Sequence, residues 1–75
     1  MQAVAPRQRH KFRPKRLREL RVARGWTETE LAAKAGVTAP AVRKWESGEA
    51  TPKLLPYLDL CVALGVDFEE LIEPA

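Results

Sequence analysis

The chain has 75 residues, 45% of them hydrophobic, with six prolines, one cysteine and a formal net charge of +3. That length holds one domain with a single modest core, and the composition is that of a globular chain. The lone Cys61 excludes an internal disulfide or a cysteine-rich metal cluster and points to a reducing cytoplasm; no apolar run approaches the roughly 20 residues of a membrane span, and the opening MQAVA is too short for a secretory signal.

The small net charge hides a division along the chain. Residues 1–24 carry nine Lys/Arg against the single Glu19, a charge of +8, whereas residues 25–75 carry four Lys/Arg against nine acids, a charge of −5. A block of this kind suits an anionic partner met by one end of the molecule, and polyanionic DNA or RNA fits best.

Residues 1–13 lack apolar periodicity and carry Pro6, Arg7, Arg9, His10, Lys11 and Arg13. They are expected to be a flexible basic arm, with one domain over residues 14–73. Pro14 suits the first turn of a helix, in which Leu17, Leu20 and Ala23 recur until Gly25. The next start is signalled three ways. Thr27 and Glu30 have capping-box spacing, and Trp26 with Leu31 forms a hydrophobic staple across it, so a helix is expected over 28–35, ended by Gly36.

Two residues later Thr38 offers another N-cap and Pro40 falls in the first turn; Val42 and Trp45 mark the inner face of a third helix, about 39–47, that ends at Gly48. A fourth helix opens at Thr51–Pro52, or near residue 54 given Pro56, with Leu54, Leu58, Cys61 and Leu64 on one face. Asp67 and Glu70 repeat the cap spacing around a short fifth helix holding Phe68, Leu71 and Ile72. No strand-like alternation occurs, so the expected class is all-α, a compact five-helix domain. Leu55, Leu60 and Val62 exceed what one helix can bury, and part of this surplus, with Phe68 and Leu71, is read as a dimer contact, through Val62, Phe68 and Leu71 in particular.

Two short helices joined by a Gly-containing turn form a helix-turn-helix outline. Ala32 supplies the small residue at the crossing, Gly36 the left-handed turn, and Val42 and Trp45 the anchors that leave the other face of the third helix free. With these in place, residues 15–73 resemble the phage-repressor/Cro-type (XRE) helix-turn-helix family, over LRELRVARGWTETELAAKAGV, VRKWESGEATP and LDLCVALGVDFEELI. The resemblance implies a DNA-binding repressor-like domain, usually a homodimer, whose third helix enters the major groove of double-stranded DNA. It also implies an ion pair between Arg21 and Glu46 and core positions for Trp45 and Tyr57.

By the same resemblance the interface begins at Thr27 and Glu28, where Glu28 replaces a frequent phosphate-holding Gln. It continues through Thr38, Ala39, Pro40, Arg43, Lys44 and Ser47 on the third helix and Lys53 beyond it. Lys44 and Arg43 are the residues able to donate to guanine, while Ala39 and Pro40 offer only apolar contact to a thymine methyl. Arg7, Arg9, Lys11, Arg13, Lys15 and Arg16 are expected on the phosphate backbone or in the minor groove. A protein-interaction module of the same fold, adaptor or antitoxin-like, is the alternative, favoured by Glu28, Ala39, Pro40 and Glu49; RNA binding through the arm is a third reading. One His, one Cys and no clustered acids leave nothing for a catalytic site, a metal, a cofactor or a small-molecule ligand.

Overall fold

The computed structural model describes residues 10–74. Its elements run β1 (His10–Phe12), α1 (Pro14–Ala23), α2 (Glu28–Ala35), α3 (Ala39–Ser47), α4 (Leu54–Leu64) and β2 (Ile72–Pro74). Four helices thus replace the expected five, and a two-stranded ribbon joins the ends of the described chain. No helix among the described residues is long and apolar enough to cross a membrane.

The helix starts follow their local chemistry. Pro14 opens α1, where its missing N–H has no helical partner to lose. At α2 the box is complete: Thr27 Oγ1 accepts from the Glu30 amide at 3.0 Å and the Glu30 carboxylate accepts from the Thr27 amide at 2.7 Å. Thr38 Oγ1 accepts from the Ala41 amide at the head of α3. Helix α4 begins at Leu54, which puts Pro56 at its third position, still within the turn whose amides are free.

The core gathers Leu17 and Leu20 from α1, Leu31, Ala32 and Ala35 from α2, Val42 and Trp45 from α3, and Tyr57, Leu60, Cys61 and Leu64 from α4. In α4 the buried stripe is therefore Tyr57–Leu60–Cys61–Leu64, and Leu54 is exposed while Leu58 is half-buried. Of the expected stripe Cys61 and Leu64 are buried, whereas its start at Leu54 and Leu58 and the assignment of Leu60 to a surplus need this correction. Burial raises the Cys61 thiol above its ordinary value.

The expected fifth helix is a run of turns over residues 68–71. The Asp67 carbonyl does accept from the Glu70 amide, but the chain then leaves in an extended path. β2 pairs antiparallel with β1, His10 facing Pro74 and Phe12 facing Ile72, and the Arg13 amide donates to the Leu71 carbonyl at 2.8 Å. Leu71 is fully buried, so its side chain is committed to the protomer core and is not available to a second copy.

The ribbon also takes up residues 10–13, the end of the stretch read as a flexible arm. Phe12 is buried and meets the Tyr57 ring edge-on, with centroids 6.4 Å apart, and the Tyr57 hydroxyl donates to the Phe68 carbonyl. Phe12 thus anchors the end of the basic run to the core while His10 and Lys11 stay exposed.

Candidate nucleic-acid interface

The face that α3 presents is set by what it buries. Val42 is fully buried and Trp45 nearly so, which turns Pro40, Arg43, Lys44 and Ser47 to solvent and leaves Ala39 half-buried against the core. The turn into α3 depends on Gly36, whose φ of 71° is one that side-chain-bearing residues rarely adopt. Its amide closes on the end of α2, and the Val37 amide donates to the Ala32 carbonyl.

Helix α3 is fixed to α1 by Arg21 and Glu46. Arg21 Nε lies 2.6 Å from Glu46 Oε2 and Nη2 lies 2.9 Å from Oε1, while Nη1 donates to the Trp26 carbonyl at 2.8 Å. The two side chains keep only 12% and 5% of their surface exposed. The carboxylate hydrogen bond raises the Arg21 guanidinium above its already high ordinary value, outweighing the opposing effect of burial. Such a two-pronged pair fixes direction as well as distance, so the roll of α3 about its own axis is constrained.

An ion pair lies on the exposed face. Arg43 Nη1 lies 4.0 Å from Glu28 Oε1, across the turn between α3 and the head of α2. Glu28 therefore stands beside a cation, which offsets part of the repulsion its carboxylate offers an anion. Ser47 Oγ donates to the Lys44 carbonyl and accepts from the Glu49 amide, so its hydroxyl closes the helix end. Lys44 and Lys53 are exposed, Lys53 as the residue that precedes α4. Arg18 of α1, Pro40, Arg43, Lys44, Ser47 and Glu49 border one open groove beside α3.

The other expected interface residues divide. Lys15 is exposed. Arg13 Nε lies 3.5 Å from Glu73 and its Nη1 donates to the Glu70 carbonyl at 3.2 Å. Arg16 grips Glu70 through Nε and Nη2 at 2.9 and 2.6 Å, an interaction that raises its guanidinium pKa. Arg7 and Arg9 lie outside the described residues. Arg18 is absent from the sequence-derived set although it shares the groove with Lys44; its position one turn before Arg21 on the outer face of α1 is the signal that points to it. Val62 and Phe68 are exposed, as are Leu54 and Leu55.

Two helices crossing at a glycine turn, with the second rolled so that its polar face is free, define a helix-turn-helix protein. Residues 17–71 match the helix-turn-helix family model, and the chain belongs to the XRE/Cro-type helix-turn-helix family. It is similar to the restriction-modification controller protein C.AhdI from Aeromonas hydrophila, at 35% identity and a TM-score of 0.73, with 76% of this chain and 86% of that one covered. It is similar also to the P22 c2 repressor, solved with a synthetic operator (25% identity, TM-score 0.74, 79% and 89% covered). A third likeness is to SinR, a master regulator for biofilm formation solved with DNA (26% identity, TM-score 0.71, 75% and 90% covered). No curated protein sequence matches the chain.

Proposed function

We propose that this protein is a small transcriptional regulator that binds double-stranded DNA sequence-specifically, with α3 lying in the major groove. The observation that carries the reading is the locked roll of α3: the Arg21–Glu46 pair and the buried Val42 and Trp45 hold Pro40, Arg43, Lys44 and Ser47 outward as one rigid face. The operator complex of the P22 c2 repressor and the DNA complex of SinR support it, since their folds superpose on this one over at least three-quarters of the chain.

Within that reading Lys44 is the base reader, its ammonium donating to guanine O6 or N7, and Ala39 and Pro40 accept a thymine methyl. Arg43, held toward Glu28, acts at the groove edge. Thr27, Thr38 and Lys53 contact phosphates near helix starts, where amides and partial positive charge favour an anion. Arg7 and Arg9 add charge attraction ahead of β1. A homodimer formed through exposed Val62 and Phe68 sets two copies of α3 about one helical turn apart on a two-fold-related site; a monomer in sedimentation, still one per saturated site, contradicts that part.

Selection from randomised duplex DNA at two salt concentrations tests the proposal. The expected result is one enriched, two-fold-related sequence at both concentrations, with weaker recovery at high salt. Recovery of all sequences equally favours a protein-interaction module instead, a reading to which Glu28 and Glu49 beside α3 give some support.

A further inference from the structure

Resting on the DNA-binding reading above, we propose that the two adjoining grooves between α1 and α3 form a track for the phosphodiester backbone, with Lys11, Lys15 and Arg18 as its phosphate contacts. Arg13 and Arg16, which alternate with them along the chain, serve instead to fasten the two ends of the fold to each other.

Local structure aims these side chains. Phe12 turns into the core, so strand alternation turns Lys11 outward. Leu17 and Leu20 are the buried residues of α1, which leaves Lys15 and Arg18, three apart, as neighbours on its outer side. Lys11, Lys15 and Arg18 are all exposed. Lys11 and Lys15 border one open groove, Arg18 and Lys44 border the next, and Ser47 lies on the rim of both. The path from Lys44 past Ser47 to Lys15 and Lys11 is therefore continuous.

Pairing separates these cations from Arg13 and Arg16. Among the described residues, Lys11, Lys15 and Arg18 have no carboxylate within 4.0 Å, whereas Arg13 is held by Glu73 and Arg16 by Glu70 and Glu19. Glu46, which also borders both grooves, is neutralised by Arg21. A phosphate that sought Arg16 has to displace a carboxylate at 2.6 Å; one that meets Lys15 displaces only counterions. The track thus presents cations to an anionic strand at the side of α3.

The test is a titration of the full chain against a mixed-sequence duplex of about two helical turns, read by fluorescence anisotropy across a salt series. Replacing three phosphate contacts, in K11Q/K15Q/R18Q, is expected to flatten the slope of log affinity against log salt by about 2.7, at roughly 0.9 per phosphate, with the melting temperature kept. R16Q is expected to keep the wild-type slope while its melting temperature falls. A triple variant with the wild-type slope overturns the track, as does an R16Q slope flattened by one full contact. Failure of the wild type to bind any duplex overturns instead the functional reading on which the track rests.

Discussion

Two ion pairs hold this fold at opposite ends of α1, and they differ in burial, not in length. Arg21–Glu46 and Arg16–Glu70 both close to 2.6 Å with a second guanidinium nitrogen on the same carboxylate group. The first keeps 12% and 5% of its side chains exposed, the second 33% and 34%. Water screens the second pair and replaces a lost partner at small cost, whereas loss of one partner in the first strands a charge inside the protein. Distance alone thus ranks them equal; the surroundings make one a structural joint between α1 and α3 and the other a fastening of the chain ends.

The largest expected effect is at the buried joint. Arg21→Ala is expected to lower stability by about 3–5 kcal/mol, measured by urea denaturation, and a midpoint equal to the parent's breaks the comparison. At the other end, apolar packing carries more than charge. Phe12→Ala opens space beside Tyr57 and is expected to cost roughly 3 kcal/mol, at the low end for a buried phenylalanine because the ring lies at the rim of the core. A loss below that of Arg16→Gln shows instead that the ribbon is held by its ion pairs. Arg16→Gln itself is expected to lose less stability than Arg21→Ala, with the deficit shrinking at high salt.

The smallest effect is confined to alkaline pH. Burial pushes the Tyr57 hydroxyl up to about 12 from its ordinary 10. Between those values the unfolded chain releases a proton that the folded chain keeps, so the stability due to this group is whole below pH 10 and falls as pH rises toward 12. The Cys61 thiol, also raised, adds a fall of the same sign that starts near its ordinary value of 9. Tyr57→Phe is expected to flatten the wild-type curve above pH 10 without altering its shape below; an unchanged slope shows that Tyr57 ionises freely in the fold.

The helix-turn-helix half of the molecule was legible in the sequence because its signals are local. Thr27 and Glu30 lie three residues apart and close on each other, so α2 could be placed at Glu28–Ala35 from a short window. The chain ends were less legible because their partners lie far off. Asp67 and Glu70 have the spacing of a helix cap, but they are joined only through the main chain in a turn, and the chain goes on to pair Ile72–Pro74 with His10–Phe12, about sixty residues upstream. In α4 the difficulty is a lack of contrast. With apolar residues on nearly every side, the sequence does not distinguish the Tyr57–Leu60–Leu64 stripe from one through Leu54. At the interface, Glu28 reads from sequence as a bare repulsive charge, and only the fold brings Arg43 to its side.

If α3 reads bases, Lys44 is the side chain that must show it. Wild type and Lys44→Ala are to be titrated against the selected duplex and a set of single-base variants at fixed salt. Lys44→Ala is expected to lose discrimination at one position of the half-site, by about 1–3 kcal/mol, while preference elsewhere is kept. A uniform weakening across every duplex, with all preferences retained, contradicts it: Lys44 is then a backbone contact and not the base reader.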